Sequence, residues 1–298
     1  MRHLERMHEL THIEPNGFEN SMTNSTQSKP SKFRLDEPMS KHTSWQVGGL
    51  AKRYFVPSNV DELSMFLKQL TSNEPLLWLG LGSNVLIRDG GFNGTVISTS
   101  ELSNNMAVKD KFIVEVDSGV PCPKFARFSA KHSLEGAEFF AGIPGTIGGA
   151  LAMNAGAFGA DTWNIVSQVK TIDRQGELHI RSKADFDISY RTVVPKNTEW
   201  FLSADFQLFE GDRDIAQKKI KSFLAKRKET QPLGLASCGS VFRNPEGDYA
   251  ARLIEACSLK GKTIGGACVS TKHANFIINM GNATAADIES LIGIVWKE

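Results

Sequence analysis

The chain has 298 residues, of which 41% are hydrophobic and 22% charged, with 34 basic against 33 acidic side chains. This length suits about two domains with buried cores. A net charge of +1 excludes a protein that binds nucleic acid through overall positive charge. The four cysteines lack paired spacing, which excludes a disulfide framework, a CxxC zinc site and a redox pair. They indicate reduced thiols and a cytoplasmic protein.

The first 45 residues contain no apolar stretch of the kind found in cleaved signal peptides. The longest uncharged run, residues 139–160, is long enough to cross a bilayer but contains six glycines and Pro144. We therefore expect no membrane association. We interpret this run as a segment whose small residues let another group come close to its backbone.

Residues 1–38 are polar and lack sustained periodicity, which predicts a disordered or loosely attached tail. Within this tail, His8-Glu9-Leu10-Thr11-His12 matches the HExxH pattern of zinc peptidases. That pattern needs a packed helix and a third ligand, and the segment has no stripe of apolar residues to pack one. We expect no metal site.

From Lys52 onward the pattern becomes globular. A strand at 54–56, a helix from 60 to 70 with apolar spacings of three and four, and a strand at 76–79 predict a β-α-β unit. The elements predicted after this unit are, in order, strand 112–116, helix 123–132, strands 166–172, 178–180 and 200–208, helices 212–228 and 249–257, strand 276–278 and a helix from 284. They indicate a mixed α+β protein with units at 39–104, 105–211 and 212–298.

Two glycine-rich segments stand out. Gly80-Leu81-Gly82-Ser83-Asn84 directly follows a predicted strand, where backbone N–H groups can surround a phosphate. The third glycine of a Rossmann fingerprint is missing and a strand-like stretch, 85–87, follows, so a structural turn is an equal alternative. The longer segment, 141–159, predicts a backbone cradle for a flat cofactor and its pyrophosphate, with close helix–strand packing as the alternative.

Three further patterns resemble functional motifs only in part. In Cys238-Gly239-Ser240 the glycine exposes the serine hydroxyl, but the surroundings do not fit the GxSxG elbow of hydrolases. Gly261-Lys262-Thr263 lacks the earlier glycine of a Walker A loop. The basic helix at 212–228 predicts a solvated face, because no aromatic platform for stacking bases accompanies it. One or two of its basic residues could still contact a diphosphate.

Several motifs, in the same order, resemble the UDP-N-acetylenolpyruvoylglucosamine reductase family. The matching segments are 42–49, 80–84, 141–159, 189–191, 239–245 and 270–276. The resemblance covers roughly residues 40–298. It implies a two-part FAD-binding domain of the vanillyl-alcohol-oxidase (PCMH) type and a smaller C-terminal α+β substrate domain.

The resemblance also implies an activity. NADPH would reduce FAD, and the hydride would pass to C3 of the enolpyruvyl group of a UDP-linked sugar, giving UDP-N-acetylmuramate for peptidoglycan synthesis. By their place in the family motifs, Arg191 would stabilise negative charge that develops at C2, and Ser240 would donate the proton to C2. Tyr190 would orient substrate or only pack, Asn244 would contact the uridine diphosphate, and Lys228 would be a further contact.

The residues that the resemblance places against FAD lie in the glycine-rich segments. They are Gly80, Gly82, Ser83, Asn84, Gly142, Ile143, Pro144, Gly145, Thr146, Gly148, Gly149, Asn154 and Gly156.

The sequence departs from the family at its C-terminal end. The family carries a further catalytic Glu after its last helix, whereas this sequence ends at Lys297-Glu298 within or at the end of that helix. Either the chain is shortened or the protein works without that group. The alternative function is a flavin and UDP-sugar binding protein that is catalytically incomplete. The predicted strand 200–208 closely follows Arg191, which indicates the shorter subtype without a substrate-covering insertion.

Overall fold

The computed structural model describes residues 32–102 and 104–298. The first unit is a four-stranded sheet with β1 at its edge, antiparallel to β2, while β2, β4 and β3 run parallel. Asn59 caps its helix by accepting a hydrogen bond from the Glu62 N–H at 2.9 Å, which confirms the predicted helix start. The elements are β1 (Lys32–Pro38), β2 (Leu50–Val56), α1 (Val60–Gln69), β3 (Leu76–Leu79) and β4 (Phe92–Ser98).

The predicted tail is wrong for its last seven residues, which form β1. The Phe33 ring packs against the rings of Phe55 and Phe66, with centroids 6.4 and 6.2 Å away. Phe33 and Leu35 alternate with polar residues in β1, but both are largely exposed because β1 is an edge strand. Two apolar residues were too short a pattern to distinguish β1 from the polar segment before it. Residues 1–31, which include the HExxH pattern, lie outside the described residues.

The stretch 85–87 also differs from its prediction, because it forms an irregular loop rather than a strand. Ile87, only 6% exposed, and Val85 pack against the core of the first sheet, while Leu86 packs against the core of the third unit. These residues are apolar because the loop is buried, and not because they form a strand.

The second unit is a five-stranded antiparallel sheet in the order β8-β7-β11-β6-β5, with helices packed on one face. Phe125, Phe140 and Phe206 form the centre of its core, with ring centroids 4.7–5.7 Å apart. The elements are β5 (Met106–Asp110), β6 (Ile113–Asp117), α2 (Cys122–Lys131), α3 (Ile147–Ala152), β7 (Val166–Asp173), β8 (Leu178–Arg181), β9 (Phe186–Ser189), β10 (Thr192–Pro195) and β11 (Glu199–Gln207).

The hairpin β9–β10 was not predicted, yet its turn consists of Tyr190 and Arg191. Only three residues separate β10 from β11. This short connection leaves no inserted segment there, as expected for the shorter subtype.

The third unit is smaller. The long helix α4 leads to a three-stranded antiparallel sheet in the order β12-β13-β14, covered by α6. Thr284 and Asp287 form a capping box at the start of α6. The elements are α4 (Arg213–Thr230), α5 (Ala250–Ala256), β12 (Thr263–Ile264), β13 (Ala267–Val269), β14 (Ile277–Asn279) and α6 (Ala285–Lys297).

Polar contacts fasten the third unit to the first. The buried Trp45 Nε1–H donates to the Ile277 carbonyl at 2.8 Å, and Asn279 Nδ2 donates to the Trp45 carbonyl at 2.8 Å. Asp89 accepts the backbone N–H groups of Ala285 and Ala286, each at 2.9 Å. These bonds join segments about 200 residues apart in the chain and so set the position of the third unit beside the loops of the first.

The predicted α+β fold class is confirmed. The predicted boundaries at 104/105 and 211/212 fall between β4 and β5 and just before α4, and stay predictions. No helix in the described part of the chain is long and apolar enough to span a membrane. Within residues 32–102 and 104–298, no group of three or more His, Cys, Asp or Glu side chains is placed to hold a metal ion.

Candidate functional site

A cleft of about 630 Å³ is lined by residues of all three units. We call its second-unit side the arginine wall (cleft residues of 142–158 with Tyr190 and Arg191) and its third-unit side the serine wall (residues 231–244). Ten of the residues predicted from sequence line it, namely Ser83, Asn84, Gly142, Ile143, Pro144, Gly156, Tyr190, Arg191, Ser240 and Asn244.

A smaller cavity of about 240 Å³ borders the same glycine-rich loops. Gly80, Gly148 and Gly149 line it, together with Trp78 and Trp200. The two indole rings stack with centroids 4.8 Å apart and planes 15° from parallel. The buried Trp78 Nε1–H has no hydrogen-bond partner among the described residues, so a donor beside this cavity is left unsatisfied.

The two glycine-rich loops lie directly against each other. A Cβ added to Gly80 would lie 2.5 Å from Thr146 Oγ1, and one added to Gly145 would lie 3.3 Å from Ser83 Oγ. A side chain at Gly80 would therefore push the loops apart. At Gly149, in contrast, the nearest atom to an added Cβ is 3.7 Å away. Close packing thus explains some of these glycines, while others leave backbone facing the cavities.

Four predicted cofactor residues line neither cavity and hold the loops in shape: Gly82, Gly145, Thr146 and Asn154. Gly82 has a φ of +63°, and a Cβ there would collide with the His42 carbonyl oxygen. Thr146 caps α3 by accepting the Gly149 N–H at 3.3 Å. Their contact with FAD stays a prediction.

Asn154 connects the long glycine segment to the hairpin β9–β10. Its backbone has a positive φ of 46°, which asparagine tolerates better than most residues. Its Nδ2 donates to the Ser189 carbonyl at 3.1 Å, and its Oδ1 accepts the Trp163 N–H at 3.1 Å. The residue therefore fixes the turn that carries Arg191.

Arg191 sits in that turn with a φ of 53° and its side chain is 23% exposed. Nη1 donates to the Asn154 carbonyl at 2.9 Å and to Asp161 Oδ1 at 2.7 Å, while Nη2 donates to the Gly156 carbonyl at 2.8 Å. The guanidinium carbon lies 5.0 Å from the centre of the Tyr190 ring. The Arg191 Nε–H has no partner within the described part of the chain, so it is free to bind an anionic ligand.

Ser240 is exposed in the cleft and follows Gly239, whose φ is +75°. The adjoining backbone is held by the buried Asn275, which exchanges two hydrogen bonds of 2.8 Å with the Phe242 backbone. The Asn275 carbonyl also accepts the Val241 N–H at 2.9 Å. The Ser240 hydroxyl itself has no partner among the residues that the structure describes. Its backbone is fixed and its hydroxyl is free.

Cys238 ties the serine wall to the first glycine loop. Its side chain is buried, and its Sγ–H donates to the Gly82 carbonyl at 3.5 Å. Burial raises the pKa of the Cys238 thiol to about 11. The thiol is therefore protonated near neutral pH and is unsuited to act as a nucleophile.

Of the two predicted contacts to the nucleotide end of the substrate, only Asn244 lines the cleft. Its Oδ1 accepts the Ala250 N–H at 3.1 Å at the start of α5. Lys228 does not line the cleft; it is exposed, and its carbonyl oxygen accepts a hydrogen bond of 2.6 Å from Lys272 Nζ. A role for Lys228 in substrate binding stays a prediction.

Arg227, one of the basic residues of α4 but not among the predicted site residues, lines the cleft instead. Its Nε–H donates to Gln231 Oε1 at 3.0 Å, and no carboxylate among the described residues pairs with it. Burial lowers the pKa of its guanidinium. Spacing along α4 could have found it, because Ala216, Ile220 and Arg227 lie four and seven residues apart on one helix face. Adjacent Lys228 points about 100° away.

The site fits a flavin dinucleotide. Two cavities border one pair of glycine-rich loops, and Gly149 presents open backbone to the smaller cavity. These features suit an elongated ligand with a flat ring system and a pyrophosphate.

The comparisons with known families agree with this geometry. Residues 51–181 match the family model of an FAD binding domain, and residues 231–298 match that of the UDP-N-acetylenolpyruvoylglucosamine reductase, C-terminal domain. Fold and site together define a flavin-binding oxidoreductase.

Similar proteins narrow the class. The UDP-N-acetylenolpyruvoylglucosamine reductase of Legionella pneumophila (strain Corby) is 54% identical over 262 residues, which cover 88% of this chain and 85% of that protein. The enzyme of the same name from Methylococcus capsulatus is 53% identical over 259 residues, covering 87% and 85%. The solved reductase of Thermus caldophilus has a TM-score of 0.78 at 29% identity and covers 90% of this chain and 95% of that one. The chain belongs to the UDP-N-acetylenolpyruvoylglucosamine reductase family.

Proposed function

We propose that the protein reduces UDP-N-acetylglucosamine enolpyruvate to UDP-N-acetylmuramate with FAD and NADPH, in peptidoglycan precursor synthesis. The observation that carries this proposal is that Arg191 and Ser240, from different units, line one cleft with the glycine-rich loops. A cytoplasmic location is part of the proposal, and the free state of all four cysteines supports it.

The cofactor would lie against the two glycine-rich loops, with Gly142, Ile143 and Pro144 beside the main cleft and Gly80 and Gly149 beside the smaller cavity. When bound, FAD supplies the hydride chemistry, taking electrons from NADPH and delivering hydride to C3 of the enolpyruvyl group. Every other task falls to side chains of the protein.

Arg191 stabilises the charge that develops in this reaction. Hydride addition at C3 builds negative charge at C2, which spreads into the adjacent carboxylate. The Arg191 guanidinium is held by three acceptors before substrate arrives, so it needs little reorganisation to meet that charge. Its Nε–H and one Nη2 N–H, which have no partner among the described residues, are the donors available to the substrate carboxylate.

Ser240 delivers the proton to C2. A serine hydroxyl is a weak acid, so it acts only when placed close to the carbon that it protonates. The Asn275 bonds to Phe242 fix the adjoining backbone, and the exposed hydroxyl has no competing partner among the described residues. These features support Ser240 as the donor.

The nucleotide end of the substrate carries a diphosphate. Arg227 is a half-buried cation in the cleft without a carboxylate partner in the described residues, and Asn244 lines the same cleft. A buried cation without a counter-charge is costly, so an anionic ligand is its natural partner. Arg227 is therefore the proposed diphosphate contact, with Asn244 beside it.

An anaerobic absorbance trace of the purified protein near 450 nm tests this proposal. NADPH is added first and the UDP-enolpyruvyl sugar second, with UDP-N-acetylglucosamine as the control that lacks the reactive double bond. We expect bleaching by NADPH and recovery only with the enolpyruvyl sugar. Bleaching without recovery would instead favour a protein that binds flavin and UDP-sugar but cannot complete the reduction, and no flavin signal would overturn the proposal.

A further inference from the structure

We infer that Asp161 is a positioning residue whose carboxylate fixes the Arg191 guanidinium in the orientation that serves the reaction. This inference rests on the proposed function, since it assigns a task to Asp161 through Arg191. Asp161 lies in none of the motifs that singled out Arg191 or Ser240 as catalytic.

The contact is direct. Asp161 Oδ1 accepts a hydrogen bond from Arg191 Nη1 at 2.7 Å, and its side chain is 36% exposed. The other two bonds to the guanidinium come from the carbonyls of Asn154 and Gly156. Asp161 is therefore the only charged group among the three acceptors, and the strongest single restraint on the guanidinium.

The local backbone is shaped for this pair. Residues 156–157 and 160–161 form a small hairpin in which Gly156 lies opposite Asp161. A Cβ at Gly156 would collide with Asp161 Oδ1 and would lie 2.8 Å from Arg191 Nη1. Only glycine at position 156 leaves room for the carboxylate and the guanidinium to meet.

The arrangement divides the donors of Arg191 between protein and ligand. Three of its N–H groups are used by Asn154, Asp161 and Gly156. The Nε–H and one Nη2 N–H have no partner within the described residues. Asp161 also offsets part of the positive charge of Arg191. Its loss should therefore leave the guanidinium less well oriented for the reaction but increase its attraction for the anionic substrate.

The test compares Asp161→Asn with wild type in both half-reactions. We expect kcat with the UDP-enolpyruvyl sugar to fall at least tenfold, KM to stay unchanged or decrease, and the rate of flavin bleaching by NADPH to stay within twofold. Asp161→Glu, which restores the charge, should recover part of kcat. Asp187→Asn, an equal charge change at an exposed site on β9, is the matched control and should behave as wild type.

Crystal structures of wild type and Asp161→Asn give a readout that does not depend on the reaction. We expect the Arg191 guanidinium to occupy its single bonded position in wild type and to shift or become disordered in the variant. An unmoved guanidinium, an unchanged kcat, or equal losses of flavin content and both half-reactions would each overturn the positioning role. If the substrate never reoxidises the flavin of the wild-type protein, the proposed function is wrong instead. The position of the Arg191 guanidinium in the two crystal structures would still show whether Asp161 holds it.

Discussion

The two walls of the cleft are built in opposite ways. On the arginine wall, the guanidinium of Arg191 is bonded to two carbonyls and a carboxylate. On the serine wall, Asn275 holds the Phe242 backbone, but the group proposed to react is not bonded: the Ser240 hydroxyl is exposed without a partner among the described residues. One wall offers a charge fixed in advance, and the other offers a proton on a freely rotating hydroxyl.

This difference follows from the chemistry that each wall is proposed to perform. Stabilising a developing charge requires a dipole or charge that does not have to reorganise, so rigidity increases its effect. Donating a proton requires that the O–H bond can turn toward the carbon, and a hydroxyl already bonded to the protein would first have to break that bond. Substitutions on the two walls should therefore have different effects, which the following experiments can distinguish.

The largest expected effect comes from Ser240→Ala. Reoxidation by the UDP-enolpyruvyl sugar should slow by about 10²- to 10⁴-fold, the range for a lost general acid, while flavin content and bleaching by NADPH persist. Rapid-mixing absorbance separates these steps. Ser237→Ala, which removes a hydroxyl from the same cleft, is the control, and an unchanged reoxidation rate in Ser240→Ala would remove Ser240 from the mechanism.

Arg227→Gln should weaken substrate binding more than chemistry. Loss of a charged hydrogen bond to the diphosphate should raise KM for the UDP-enolpyruvyl sugar by about 10- to 100-fold, with little change in kcat. Lys228→Gln changes the same charge on the next residue of α4 and should have little effect, because Lys228 does not line the cleft. A larger effect from Lys228→Gln than from Arg227→Gln would reverse this assignment.

Substitutions at two neighbouring glycines, Gly148 and Gly149, separate the effect of loop packing from the effect of cofactor contact. A Cβ at Gly148 would lie 2.9 Å from Ser118 Cβ, so Gly148→Ala should lower the free energy of unfolding by about 1–3 kcal/mol as well as weaken FAD binding. Gly149→Ala meets no close atom and should leave the stability of the apoprotein within about 1 kcal/mol of wild type.

We expect Gly149→Ala to weaken FAD binding nonetheless, as measured by flavin titration of the apoprotein. Gly293→Ala in α6, where an added Cβ meets nothing within 4 Å, controls for the effect of alanine in a helix. Normal FAD affinity in Gly149→Ala would mean that the cofactor does not approach this backbone.

The smallest effect concerns thiol chemistry on the serine wall. Burial raises the pKa of Cys238 to about 11, so at pH 8 about one thiol in a thousand is ionised, and the thiolate fraction increases as the pH increases. Cys257 is exposed and should react first with iodoacetamide, as followed by peptide mass spectrometry. Equal labelling of both would show that the serine wall opens readily, and Cys257→Ser should abolish the fast phase.

The sequence by itself determined the α+β class, most helices and strands, and the two glycine-rich loops. These features depend on periodicity, capping residues and glycine content, which act over a few neighbouring residues. The same local signals failed for β1 and for 85–87. The exposed edge strand carries only two alternating apolar residues, and the buried loop carries a continuous apolar run that is typical of a strand.

The tertiary structure decided which groups meet in the cleft. Arg191 meets Asp161 thirty residues away, and Asn275 holds Phe242 from thirty-three residues further along the chain. Arg227 rather than Lys228 lines the cleft because of how α4 is rotated against its neighbours. Such pairings depend on how separate elements pack. The spacing along α4 places Arg227 on the same helix face as Ala216 and Ile220, but only the packing of the units makes that face border the cleft.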